Sequence, residues 1–446
     1  MVELVPHIGK IRNLEVTKPR AASGVKAYAT RVPAFAFWLL IVFLVLEFIR
    51  PHVIAQLQLQ LVILLVFPVL WLSSPNRFWS PLLSAQVAFL VWCAKSIPLA
   101  YNYYATYIVT RAMYGNVVIG IALTWICSNM NNLRRVIWIW IGIMVYQAIW
   151  GITHGGTGTG GFMGDENDLA LACGTALPFA LSGFEISHGR ARWLYGIAMV
   201  LLIVAIIASF SRGGFVGMLV VFSYYLFSFR NKLRNLAFVI AVGLTIFSFA
   251  PDKYIDDIRS ITNTREGTAQ GRRFLWTAAY NMWKAHPFLG VGAGNSSFLI
   301  GEFQSTNFEG HQYNERNWSG TVVHSVYFTI LPEHGVPGIL LFGFIIWSHF
   351  RILRRLRHDV QRAAIVPETL RRDTEMYAFG LKGAILGYLS SGAFLSVAYY
   401  PYFWYFTALS VALDIAVRRE MNAAMRDPVS NANLLNRNRR VHDMSS

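Results

Sequence analysis

The chain has 446 residues, 55% of them hydrophobic and only 14% charged, with 31 Phe, 20 Tyr and 14 Trp. Soluble domains carry about a quarter charged residues, and here the apolar residues gather in runs of roughly 17–25, the length of a helix that crosses a hydrocarbon core. An ordinary soluble globule is excluded, and the fold class expected is all-α and polytopic. A formal net charge of +16 would suit a nucleic-acid binder, but 27 of the 39 Lys and Arg fall in short loops and tails on one side of the topology set out below. That is where the positive-inside rule puts them, so membrane lipids are expected as partners and nucleic acid is not. Cys93, Cys127 and Cys173 all lie in apolar runs, with neither a disulfide framework nor the spacing of a metal site.

In chain order, residues 1–33 are polar and hold Lys10, Arg12, Lys18, Arg20 and Lys26. This is too long and mixed for the n-region of a cleaved signal peptide; it reads as a cytoplasmic tail before a first helix that stays as an anchor. Nine spans are expected within 34–250, at 34–49, 53–73, 81–99, 112–129, 135–153, 167–185, 193–210, 213–229 and 235–250. A long polar loop follows at 251–322. Three more spans, at 323–350, 376–398 and 401–417, bring the total to about twelve. Residues 418–446 are polar and Asn-rich and read as a disordered cytoplasmic tail. With both termini inside, the long loop faces outward, as does the Tyr-rich stretch 100–111, which suits the headgroup belt.

Several polar features interrupt this pattern. The Gly-rich run from His154 to Gly161 lacks the Lys-Ser/Thr of a phosphate loop and follows no strand. Gly164-Asp165-Glu166-Asn167-Asp168 then opens span six, and acidic residues there serve as caps and dipole partners. Ser211-Arg212-Gly213-Gly214 makes a tight outward turn between spans seven and eight. An Arg at that depth either snorkels to the interface or pairs with something, and the free amides of a helix start favour anions.

The long loop carries Arg259, Arg265, Arg272, Arg273, His286, His311 and Arg316, and a polar loop of this kind between membrane helices is where chemistry is expected. A helix over 273–285 is predicted, ended by the Gly-rich stretch after His286. Arg is shaped for a bidentate grip on phosphate, and adjacent residues on a helix point about 100° apart. Only one of Arg272 and Arg273 therefore faces a given site, and Arg273 reads as a solvated or headgroup contact. His324 opens span ten and could act as a general base or simply as an interfacial residue. His334 lies nearly three turns deeper, where Pro332, Gly335 and Pro337 predict a break in the helix. Lys382 in span eleven reads as a cation facing the bundle interior.

Taken in order, these pieces resemble the O-antigen ligase and O-antigen polymerase superfamily of bacterial envelope glycosyltransferases. The matching motifs are Ser-Arg-Gly-Gly at 211–214, Gly-Arg-x-x-x-Trp at 271–276, His-Pro-Phe-Leu-Gly-Val-Gly-Ala-Gly at 286–294, and His324-Ser325 followed by Glu333-His334-Gly335-Val336-Pro337-Gly338. Each is weak alone; their order and the long outward loop make the likeness specific over about 165–410. Glu47-Phe48-Ile49-Arg50-Pro51 and Gly164 to Asp168 look like the ligase subgroup.

The resemblance implies a fold like that of the GT-C membrane glycosyltransferases, with short helices in a periplasmic loop. It also implies glycan transfer from undecaprenyl diphosphate to a hydroxyl at the periplasmic face of the inner membrane, with no metal and no other cofactor. For a ligase the acceptor is lipid A–core. Arg212 and Arg272 match the family's diphosphate-binding arginines and His324 its catalytic histidine. Arg273 stands where the family motif is commonly apolar, and His334 has no assured counterpart. An O-antigen polymerase and a protein O-oligosaccharyltransferase would use the same donor. A lipid-carrier flippase would instead spread charges through its spans, and here those are few, Lys382 and Asp414 chiefly. The topology predicts that a cysteine introduced within 300–312 is labelled from outside by a membrane-impermeant thiol reagent and one within 360–365 is not; the reverse pattern would invert the orientation.

Overall fold

A computed structural model describes residues 32–50, 59–75, 77–229, 231–249, 267–305, 307–308, 311–312, 318–363 and 366–426. The described residues are almost wholly helical: α1 (Ala34–Phe48), α2 (Leu59–Ser73), α3 (Pro81–Lys95), α4 (Tyr103–Ile126), α5 (Met130–Thr153), α6 (Glu166–Ile186), α7 (Gly189–Ala208), α8 (Arg212–Ser228), α9 (Lys232–Phe249), α10 (Gly267–Ala285), α11 (Ser296–Phe303), α12 (Val326–Arg362), α13 (Glu368–Gly392) and α14 (Pro401–Arg426). Two-residue strands pair antiparallel, Asn307 with Gln312 and Phe308 with His311.

Helices occupy all twelve stretches read as spans. Six of them are long and apolar enough to cross a membrane, and α1, α2 and α8 are shorter apolar helices. Polar residues from the loops start them. The side chains of Ser80, Asn102, Asn129, Asp165, Ser211 and Ser325 each accept an amide hydrogen from the first turn of the helix that follows. Such caps satisfy amides that hydrocarbon cannot.

Several boundaries differ from expectation. The Tyr-rich stretch is helical from Tyr103, nine residues earlier than read, because tertiary bonds hold that first turn: Asn102 donates its amide to Asn295 Oδ1 at 2.6 Å and Thr106 its hydroxyl to the Ala293 carbonyl at 2.9 Å. Helix α12 runs on to Arg362, since Leu353, Leu356 and Val360 keep a buried stripe beneath the arginines. The expected 351–373 loop shrinks to the few residues before Glu368. Helix α13 ends at Gly392 rather than 398, leaving a turn at 393–400. Helix α14 passes Arg418, whose guanidinium bonds Asp414 at 2.9 Å and Asp359 at 3.0 Å, so residues 418–426 of the expected tail are helical, and its remainder lies outside the described residues. In the long loop, helix starts at Gly267, and α11 is a second helix. Arg259, Arg265 and Arg316 lie outside the described residues.

Helix α6 forms the centre of the bundle, with every residue from Leu169 to Gly183 buried. Small residues let its neighbours approach, as they must where lipid supplies no hydrophobic drive between helices. A Cβ on Gly383 would meet Pro178 at 2.6 Å, one on Gly380 would meet Phe179 at 2.2 Å, and one on Gly214 would meet the Ala170 Cβ at 2.4 Å. Outside the bundle, α10 and α11 share a second core of Phe274, Leu275, Ala278, Met282, Leu299 and Ile300.

The Gly214 contact is backbone-proximal on both sides, so Gly214→Ala should cost about 1–3 kcal/mol, the usual overpacking range. Ala170→Gly in the same chain should recover most of it. Thermal unfolding in detergent of the two single variants and the double variant checks this; simple additivity would show that the two helices do not meet there.

Candidate active site

Three helix starts and one turn converge at one end of the bundle. Ser211 caps α8, accepting the Gly214 amide at 3.0 Å, and donates its own hydroxyl to Asn167 Oδ1 at 2.7 Å. That bond ties the Arg212 turn to the acidic start of α6, where Asp165 accepts the Asp168 amide at 2.8 Å. The expected capping role of Asp165 is thus present. Tyr400 donates to Asp168 Oδ2 at 2.9 Å, and its ring meets Phe162 edge-on. The turn at 393–400 also backs Gly213, whose Cβ position lies 3.5 Å from the Phe394 Cβ. The Gly-rich loop is pinned from below: Gln147 donates to Thr159 Oγ1 at 2.7 Å and accepts the Thr159 amide at 3.1 Å.

His324 stands between this turn and α12. Its φ is +53°, a left-handed conformation that non-glycine residues hold only where the surroundings impose it. Its amide donates to Ser396 Oγ at 2.9 Å, and the next residue, Ser325, already caps α12. On the other side, Trp276 donates Nε1 to the Val323 carbonyl at 3.1 Å and stacks on Phe328. Trp276 follows Arg272 by four residues on α10, so the two share a face. The Gly-Arg-x-x-x-Trp motif therefore has a physical reading: the Trp anchors α10 to the His324 peptide, and the Arg one turn earlier reaches the same place. The Arg272 guanidinium lies 5.8 Å from the Phe394 ring centroid.

Electrostatics place the three groups in one neighbourhood. Burial, and next the charge of Arg212, lowers the proton affinity of Arg272 below its ordinary value, although a guanidinium keeps its proton. Burial, then Arg272, pushes His324 below its ordinary range, and Asp165 opposes them. Arg212 thus acts on Arg272, and Arg272 on His324, from three separate elements, while Asp165 acts on His324 in the opposite sense. Two cations close to an imidazole of lowered proton affinity raise the local positive potential.

Arg273 is half-buried on the neighbouring face of α10, its carbonyl accepting the Thr277 hydroxyl at 2.9 Å. His334 is buried on α12 and its Nε2 is bonded to the Tyr399 hydroxyl at 2.8 Å. Lys382 is half-buried, and the cations acting on it are Arg354 and Arg357 at the far end of α12, so it does not join the group. Ser396, Tyr399 and Glu333 were not singled out as site residues from the sequence; no periodicity marks them, and only the Glu333-His334-Gly335 string drew notice. Among the described residues no three His, Cys, Asp or Glu side chains are grouped to hold a metal.

Residues 197–343 match a family described as O-antigen ligase. The match supports the likeness of this segment to the O-antigen ligase and polymerase superfamily. The segment contains Arg212, Arg272, His324 and the Glu333–Gly338 string. No curated protein matches the chain.

The electrostatic arrangement sets the sign of a titration. His324 should take its proton below the ordinary value near 6.5. Arg272→Ala should move that midpoint up, because a cation is removed, and Asp165→Asn should move it down. Histidine-selective NMR in detergent reads both; shifts in the opposite directions would mean that these groups do not face His324.

Proposed function

We propose that the protein is an inverting, metal-independent glycosyltransferase of the O-antigen ligase type. It moves a glycan from undecaprenyl diphosphate to a hydroxyl of lipid A–core during lipopolysaccharide assembly. In this reading it lies in the bacterial inner membrane with about twelve spans and both termini cytoplasmic. The segment 251–322 is a periplasmic catalytic loop between 34–250 and 323–417, and the site opens on the periplasmic side.

One observation carries the reading: Arg212 acts on Arg272 from a different element, and Arg272 together with burial lowers the proton affinity of His324. The chemistry needs little more. The donor's leaving group is a lipid diphosphate, whose charge grows as the anomeric C–O bond breaks. Arg212, at the start of α8 where free amides add to its field, and Arg272 hold that charge in a half-buried place where it is worth more than in water. The acceptor oxygen attacks the anomeric carbon from the opposite face, giving inversion, and His324 takes its proton. Asp165 then stabilises the imidazolium. Arg273 and Lys382 have no step in this scheme, and His334 serves the fold.

Arg212→Ala and Arg272→Ala should each weaken both donor binding and turnover by about 10- to 150-fold, the range of a charge-assisted contact worth about 1.5–3 kcal/mol. Arg→Lys should recover only part, because the bidentate fork is lost. His324→Ala should leave donor binding nearly intact and lower transfer by about 10²–10⁴-fold. Donor affinity and transfer rate are measured on the same folded, purified variants, with lipid A–core offered beside a protein acceptor and a second lipid-linked glycan. Normal transfer by His324→Ala would remove it as the base; product formed only on the protein or the second glycan would reassign the acceptor.

A further inference from the structure

Glu333 is buried at the kink of α12, two residues before Gly335. A carboxylate in such a place is costly unless its oxygens are bonded. Here both are. Oε2 accepts the Gly294 amide at 2.6 Å and the Tyr399 hydroxyl, and Oε1 accepts the Ser296 hydroxyl at 2.6 Å and the Ser296 amide at 3.3 Å. Tyr399 has a single proton, and with that proton on Glu333 it is His334 that donates Nε2–H to the Tyr399 oxygen. The backbone reinforces the same junction, with the Val291 amide on the Pro332 carbonyl at 2.9 Å, the Gly292 amide on the Glu333 carbonyl at 3.1 Å and the Val336 amide on the Pro287 carbonyl at 2.8 Å.

The two segments that supply these donors are not incidental. Gly294 and Ser296 end the turn that continues directly from α10, the helix of Arg272. Tyr399 lies three residues after Ser396, whose hydroxyl takes the His324 amide. Glu333 is bonded to neither Arg272 nor His324. We infer that Glu333 is a positioning residue: one buried carboxylate joins the turn behind the Arg272 helix to the turn that holds the His324 peptide, and so sets the two reacting elements against each other. This rests on the roles given above to Arg272 and His324.

The test uses the full-length protein in detergent. Glu333→Gln keeps the shape, but its single carbonyl cannot accept from both the Gly294 and Ser296 amides, which cannot turn away. Hydrogen–deuterium exchange should then show lost protection over 294–298 and the second half of α10, with α6 and α13 unchanged. Unchanged exchange at 294–298 would overturn the inference. Transfer should fall by about 10- to 100-fold, as a small misplacement of a reacting group does. In an Arg272→Ala background the same change should cost little more, because Glu333 acts through that arginine; full additivity of the two losses would overturn it. Should Glu333→Gln fail to fold, Tyr399→Phe removes one of the four donors and should give the same pattern at smaller amplitude. If Arg272→Ala leaves transfer untouched, the functional reading has failed, and the exchange data still decide whether Glu333 holds the turn.

Discussion

Two guanidinium groups held near each other in a half-buried site repel, and much of the surrounding structure is an answer to that repulsion. Both are partly buried, so their charge is only partly solvated. The arginines stay because each is fixed from behind by a different element. Arg212 begins a helix whose cap is bonded to α6, and Arg272 rides on a helix whose Trp276 is bonded to the peptide before His324. Asp165 stands opposite but serves first as a cap, so it moderates the field without cancelling it. What results is a concentration of positive charge next to an imidazole whose proton affinity burial lowers.

The fold meets this demand by placing its polar work at helix ends. The bundle interior is packed through small residues, with Gly214 against Ala170 and Gly383 against Pro178, and polar side chains inside it mostly bond to backbone one turn away or across a helix pair. At the site end, the caps Asp165, Ser211 and Ser325 set the directions of three helices, and the 393–400 turn joins them. Side chains on such rigid starts are held in place by the packing behind them.

Much of the bundle was legible in the sequence, because apolar run length and the acidic cap at Asp165 are local signals. The break at Gly335 was legible for the same reason. What could not be read were the ends that tertiary bonds decide. The first turn of α4 exists because Asn295 and Ala293, far along the chain, hold Asn102 and Thr106. The C-terminal extension of α12 looked like a basic loop because its arginines mask the stripe of Leu353, Leu356 and Val360. At the site, Arg212, Arg272 and His324 carried a motif and stood out. Ser396 and Glu333 did not, since a hydroxyl that receives one amide and a carboxylate that gathers four donors have no spacing signature.

The kink in α12 has an evolutionary consequence. Gly335 has φ +61° and ψ −163°, a region closed to side chains in general, and a Cβ there would also meet the Phe288 and Pro287 carbonyl oxygens at 2.5 and 2.6 Å. Backbone strain and collision forbid replacement independently, so relieving one does not open the position. Substitution can therefore reshape the loops around this residue, while a chain that keeps the kinked helix has to keep this glycine, a fixed point about which its surroundings can change.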